Sequence, residues 1–371
     1  EEEGISTGSR YGGPFYKRVV NDAMSDTATY TFIMPALTEA AMLASDGLLY
    51  DLNKLVNLEN PWWSKEFNDS VTIAGKTYFA ASDITTVSVA STMCVIFNKE
   101  IEKKYELAKG YGYESLYEMV DKKAWTQDVF FEMSRIYADT NENFMIDPED
   151  TCGISAQHNV IYWLLRSGGI NVCTLNEEGY PSLTVKNERA ISLINKAQEF
   201  AQDPAGGMII ADDWKTDGGS PAVQTFIDGR CLFLFNALSA LDTVRTMEDD
   251  FGVLPCPMFD DTQDNYTNNV GAWTSNCIAV PTFVRDEDLE LTVHLLEALA
   301  AVSRSKLTTT YFEQTLQYQI SRDDESMKML DLINDTRVPD LSEMYRWGKM
   351  MQTIADLRTG ALGTFVSAYD A

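Results

Sequence analysis

From residue 30 to residue 359 the sequence switches repeatedly between short β-branched or aromatic runs and longer stretches with apolar residues at helical spacing. That alternation confines the chain to α/β architecture, because each strand-like run needs helices to cover its faces. Residues 30–34 (Tyr-Thr-Phe-Ile-Met), 87–97, 231–235, 251–256 and 276–280 read as strands. Ala74-Gly75-Lys76 reads as the tight turn of a hairpin between residues 71–73 and 77–79. Helices are expected over residues 38–45, closed by Gly47, and after Thr126, where Val129, Phe130, Met133, Ile136 and Tyr137 share one face. Further helices are expected over 187–201, from Ser220-Pro221 to Gly229, over 287–302 and over 342–359.

A length of 371 residues suggests about two domains at roughly 150 residues each. No Pro/Gly/Ser-rich linker separates them, so the chain is expected to cross between domains as structured strands. Acidic residues outnumber basic ones 56 to 29, a net charge of −27, which repels phosphate and argues against nucleic acid or an anionic membrane face. With only His158 and His294, histidine-dependent catalysis and His-rich metal sites are poorly supplied. No run approaches the ~18 apolar residues of a membrane span. The opening Glu1-Glu2-Glu3-Gly4 carries neither starting Met nor signal, as expected of a processed or trimmed segment. The six scattered cysteines, without Cys-x-x-Cys, read as buried free thiols in preference to a disulfide framework.

Gly4-Ile5-Ser6-Thr7-Gly8 spells a nucleophile elbow but follows three glutamates instead of a buried strand, and Gly75-Lys76-Thr77 fits the hairpin better than a phosphate loop. Residues 139–150 place oxygen side chains at positions 1, 3, 5, 9 and 12 of a twelve-residue loop. This is a calcium-loop pattern, with Asp139, Asn141, Asn143, Asp147 and Asp150 as side-chain ligands and Met145 supplying a carbonyl. Phe144 replaces the usual glycine and Asp150 the usual glutamate; the competing reading is an acidic loop after a helix. Tyr11, Trp62, Trp63, Trp125, Tyr162, Trp163, Trp273 and Trp347 stand at expected loop or strand ends. Flat sugar C–H faces pack on such rings, although core packing competes for each of them. Trp273, in the polar turn before a buried strand, is the best placed, and Asp83 interrupts two strand-like stretches where a cleft carboxylate could stand.

Several segments resemble, in order, the extracellular solute-binding proteins of bacterial ABC importers (family 1, sugar-binding type). They are Gly47-Leu48-Leu49-Tyr50-Asp51-Leu52-Asn53, Val95-Ile96-Phe97-Asn98-Lys99, Ala124-Trp125-Thr126-Gln127-Asp128, Phe226-Ile227-Asp228-Gly229-Arg230-Cys231-Leu232-Phe233 and Phe251-Gly252-Val253-Leu254-Pro255-Cys256-Pro257. Residues 323–347, with Met329-Leu330-Asp331-Leu332-Ile333 and Arg337, are similar to the C-terminal region of a Firmicutes-like branch. The resemblance covers residues 30–360 and implies a two-lobe, type II periplasmic-binding-protein-like fold with crossing strands. Segment matching implies lobe one over 1–94 plus 279–310 and lobe two over 98–275 plus 311–371.

The implied activity is capture of a carbohydrate, an oligosaccharide, in the interlobe cleft and delivery to an ABC permease by hinge closure, without catalysis. The contrasting reading is a secreted glycoside hydrolase using an Asp/Glu pair. Ligand contacts are implied at Tyr11, Asp83, Thr85, His158, Asn159, Trp163, Asn236, Trp273, Tyr345 and Trp347. The protein is expected to be a monomer, extracellular and lipid-anchored to the outer face of the cytoplasmic membrane. No cofactor is required, and a structural Ca2+ in the loop over residues 139–150 is the one candidate. Two departures stand out. The first strand of the family is missing, and Asn236-Ala237-Leu238 replaces an aromatic-bearing element of the maltose-binding type. Composition leaves phosphate, peptide and polyamine solutes open, with the net charge weighing against anions.

Overall fold

The computed structural model describes residues 11–25, 30–137, 151–203, 207–210, 220–311 and 324–360. Its main sheet has five strands, β1 (Met93–Asn98), β2 (Cys152–Ala156), β3 (Met208–Ile210), β4 (Cys231–Ala237) and β5 (Phe251–Leu254), in the order β3-β2-β4-β1-β5. β2 runs parallel to β3 and β4, whereas β1 lies antiparallel between β4 and β5. Both faces are covered, which is why these strands read as unbroken apolar runs. Val95, Phe97, Phe233 and Phe235 join one core cluster, while Cys94, Ile96, Leu234 and Val253 join another.

Helices α1 (Leu37–Ser45), α2 (Gln127–Tyr137), α3 (Val160–Ser167), α4 (Glu188–Gln202), α5 (Asp286–Ser303), α6 (Asp324–Asp335), α7 (Leu341–Tyr345) and α8 (Met350–Asp356) form where spacing and caps favour them. In α4, Asn187 accepts a hydrogen bond from the Ala190 N–H at 2.9 Å, and Ala190, Leu193, Ile194, Ala197 and Phe200 are all buried. Trp125 is a core residue and no ligand platform: it is fully buried against Phe130 and Phe233 and donates its indole N–H to the Pro255 carbonyl at 2.9 Å. Tyr162 is likewise buried.

The core falls into two parts. Clusters around the five-stranded sheet draw on residues between Val89 and Tyr266, together with Met329, Leu330, Ile333, Met350, Ile354 and Leu357. The other clusters draw on residues between Val19 and Ala81, between Val270 and Leu296, and on Leu341 and Met344. Leu341 and Met344 therefore pack with the N-terminal part, although segment matching puts them with the second lobe. The chain passes between the parts near residues 91–93, 268–271 and 337–340, and again between Leu296 and Met329 and between Met344 and Met350. The first three passages are bridged to one another: Thr92 pairs with Val270, and β6 (Asn268–Asn269) runs parallel to β7 (Arg337–Val338).

Several sequence expectations change. The strand over 87–97 splits into a helical turn, Val87–Ala90, and β1, because the Ser91 and Thr92 amides bond back to the Val87 and Val89 carbonyls. The expected strands at 30–34 and 276–280 meet through single bridges, such as Ile33 with Ala279. In the expected hairpin only Ile73 pairs with Lys76, since Val71 ends the helix Lys65–Val71. The helix expected over 342–359 breaks after Tyr345 into a 3-10 turn, Trp347–Lys349, and then α8. Arg346, Gly348 and Lys349 all take left-handed backbone there.

The cysteines also divide. Cys94, Cys256 and Cys277 are buried free thiols and Cys173 is a half-buried one, but Cys152 and Cys231 form a disulfide. They are paired neighbours on β2 and β4, which brings their Cα atoms to 4.8 Å, within bridging distance. Spacing in sequence could not show this, because the two lie 79 residues apart.

Candidate functional site

The site grows from the passages between the two parts. The Leu238 amide bonds to the Thr92 carbonyl at 2.9 Å, and the Gly271 amide bonds to the Ser91 carbonyl at 3.0 Å. The end of β4 is thus tied to the turn that carries Trp273. That turn closes through the Ser275 amide onto the Gly271 carbonyl at 3.0 Å. Glu343 on α7 holds it from beneath: one carboxylate oxygen accepts the Ala272 amide at 2.9 Å, and the other accepts the Asn269 side-chain N–H at 3.1 Å. Trp273 stands half-buried above this support.

Three groups meet at the turn. The Arg346 guanidinium lies 4.3 Å from the Tyr11 ring centre and 5.3 Å from that of Trp273, and the two rings are 6.5 Å apart. On either side of Arg346, Tyr345 and Trp347 stack at 4.8 Å with planes 11° apart, and Tyr345 leans on Phe79. Neither Arg346 nor Glu343 stands out in the sequence. The detectable signal was a cation between two aromatics just before Gly348.

A second group gathers at the carboxyl ends of the parallel strands β2 and β4, where open α/β sheets commonly present ligand-binding residues. His158 and Asn159 follow β2 and are half-buried, and Asn159 Oδ1 is enclosed without a hydrogen-bond partner among the described residues. Asn236 is the next-to-last residue of β4 and accepts the Ala237 amide at 2.8 Å. Trp163 stacks on Phe235 with planes 7° apart and is 6% exposed, so most of its surface packs in the core.

Asp83 and Thr85 make other attachments. Asp83 accepts from the Thr308 hydroxyl at 2.8 Å and from Arg304 at 3.2 Å, holding the segment that follows α5. Thr85 accepts the Val87 amide at 3.2 Å, capping the adjacent turn. Trp62 and Trp63 donate their indole N–H groups to Glu297 on α5, at 2.6 and 3.2 Å. The calcium-loop residues Asp139, Asn141, Asn143, Met145, Asp147 and Asp150 lie outside the described residues. Among the described residues no group of three or more His, Cys, Asp or Glu is arranged to hold a metal. An open depression of about 480 Å³, lined by residues including Tyr113, Lys122, Lys123 and Asp260, shares no residue with either group.

Burial pushes the Glu343 carboxyl up to about 7, with Asp340 adding to the rise, while the bonds from Asn269 and Ala272 and the charge of Arg166 oppose it. Its unfolded value is about 4.3, so between the two values the folded state binds the extra proton. Glu343 should therefore favour folding most below about pH 4.3, and that contribution should be lost as pH rises through 7. Glu343→Gln should flatten the decline. Urea unfolding at pH 5 and pH 8 checks this, and equal pH dependence in both proteins would contradict it.

No protein-family model matches the sequence, and no curated protein does. Solved structures match over nearly the whole chain. An ABC substrate-binding protein from Listeria monocytogenes in complex with cycloalternan aligns with TM-score 0.61 at 11% identity, covering 96% of this chain and 87% of that one. The maltose-binding periplasmic protein MalE from Listeria monocytogenes, in complex with maltose, aligns with TM-score 0.61 at 16% identity over 95% and 85%. UgpB from Mycobacterium tuberculosis, in complex with glycerophosphocholine, aligns with TM-score 0.60 at 16% identity over 96% and 86%. The chain therefore has the two-lobe α/β fold of the ABC substrate-binding proteins.

Proposed function

We propose that this protein captures a carbohydrate, an oligosaccharide, between its two lobes and delivers it to an ABC permease. The observation that carries the reading is the ring pair Tyr11 and Trp273, with Trp273 on the turn that follows a passage between the lobes and is tied by hydrogen bonds to the end of β4. Such rings suit the C–H face of a sugar, while Asn159, Asn236 and His158 supply polar groups at the strand ends. The fold likeness adds support, since two of the similar proteins hold cycloalternan and maltose. Capture works by hinge closure: a solute touching both lobes stabilises the closed state by its differential affinity for it.

The carboxylates around the site favour capture over hydrolysis. Asp83 is engaged by Thr308 and Arg304, Glu343 by Ala272 and Asn269, and Asp340 by Arg166. None of the three is placed as a free acid or nucleophile. A thermal-shift screen across oligosaccharides, amino acids and polyamines tests the reading, with stabilisation by one sugar class, compaction in scattering and no turnover expected. Hydrolysis of a chromogenic glycoside, abolished by one Asp or Glu substitution, would sink it.

In this reading the protein works outside the cell as a lipid-anchored monomer. Its lobe boundaries are those proposed from the sequence, with residues 270–275 and 341–344 transferred to lobe one on the strength of the packing of Val270, Ala272, Leu341 and Met344. No helix among the described residues is long and apolar enough to cross a membrane. The loop over residues 139–150 is proposed as a structural calcium site on its oxygen spacing alone. A chelator should then lower the melting temperature and added Ca2+ should restore it; an unmoved melting temperature would remove calcium from the account.

A further inference from the structure

Among the described residues Arg346 is a cation without a counter-charge, in a chain where acids outnumber bases 56 to 29. Arg166 is paired with Asp340, and Arg304 with Asp83. The Arg346 guanidinium has no hydrogen bond or ion pair among the described residues and lies instead against the rings of Tyr11 and Trp273. Contact with ring faces does not use up the in-plane N–H donors of a guanidinium, whose fork geometry matches a carboxylate or phosphate.

Three further features make this a prepared arrangement. Arg346 is held at φ 54°, ψ 33°, a left-handed conformation unfavourable for a residue with a β-carbon. Its neighbouring turn is fixed by the two Glu343 hydrogen bonds, so Trp273 is positioned before any ligand arrives. The nearby carboxylates have other partners: Glu343 is buried against Ala272 and Asn269, and Asp83 is held by Thr308 and Arg304.

Resting on the solute-capture reading above, we propose that the preferred solute is an acidic carbohydrate. Its carboxylate or phosphate is clamped by Arg346 while Trp273 and Tyr11 pack its sugar ring. The net charge of −27 does not forbid this. Exposed charges are screened beyond a Debye length of about 8 Å at physiological salt, whereas a bidentate guanidinium contact acts at hydrogen-bond distance.

The test compares acidic ligands with neutral counterparts of the same sugar. Binding of trigalacturonate is measured against its methyl ester, and glucose 1-phosphate against methyl glucoside, beside a panel of neutral oligosaccharides. At least one acidic member should bind about 10-fold or more tighter than its neutral counterpart, the scale of a charge-assisted contact. The pair that shows the preference separates carboxylate from phosphate. Arg346→Gln should abolish the preference, Arg346→Lys should keep part of it as a point charge, and the ligand-free melting temperature reports whether each variant folds. Neutral sugars binding as tightly as acidic ones, or a preference that survives in a folded Arg346→Gln, would overturn the inference and leave sugar capture standing. If no carbohydrate of either kind binds, capture itself falls, and this proposal with it.

Discussion

Asp340→Ala is expected to lower the unfolding free energy by about 3–5 kcal/mol, the range for removing one partner of a buried ion pair. Asp340 faces Arg166 at 3.3 Å with both side chains almost wholly buried, at 2% and 1% exposure. Arg166 also donates to the Ile170 carbonyl at 2.9 Å, to Asn269 Oδ1 at 3.3 Å and to Asn171 Oδ1. These neutral acceptors would remain, but they do not neutralise a guanidinium enclosed by protein. The same substitution removes the cap of α7, where Asp340 Oδ1 accepts the Ser342 amide at 2.6 Å and the Glu343 amide at 3.2 Å.

Position decides the consequence. Arg166 belongs to α3, in the part built on the five-stranded sheet, and Asp340 to the passage leading into α7, so the pair joins the two parts of the core. Urea denaturation measures the loss. The double variant Arg166→Met/Asp340→Ala, which leaves no unpaired charge, should recover part of it. A loss under about 1 kcal/mol for Asp340→Ala alone would mean that the pair is not the structural tie described here.

Trp273→Ala should weaken solute binding by about 30-fold or more, the effect of deleting an aromatic anchor worth 2 kcal/mol. The ligand-free protein should stay folded, because the turn is held through backbone groups: the Ala272 amide by Glu343, the Gly271 amide by Ser91 and the Ser275 amide by Gly271. Isothermal titration with the solute identified by screening reads the change, and circular dichroism reads the fold. Unchanged affinity would remove Trp273 from the site. Asp83→Ala serves as a contrast. Its carboxylate fastens Thr308 and Arg304, so its loss should loosen the segment after α5 more than it changes contact with ligand.

The sequence alone carried the alternation of strands and helices, because periodicity and caps are local. The β4 run and the buried stripe of α4 appear in the structure where those patterns put them. The order of short segments also pointed to a two-lobe fold, and solved structures with the same architecture match it over nearly the whole chain. Which aromatics are core and which are exposed was not legible. Trp125 and Trp273 both stand beside polar turns in sequence, yet one is buried under Phe130 and Phe233 and the other beside Tyr11 and Arg346. The opening pattern of strand and helix thus determined the layers. Tertiary structure alone decided the Cys152–Cys231 bond, the break after Tyr345, the Arg166–Asp340 pair and the Glu343 support of the Trp273 turn. The physical reason is distance along the chain. Glu343 meets Ala272 across 71 positions, and only folding brings an acceptor to that amide.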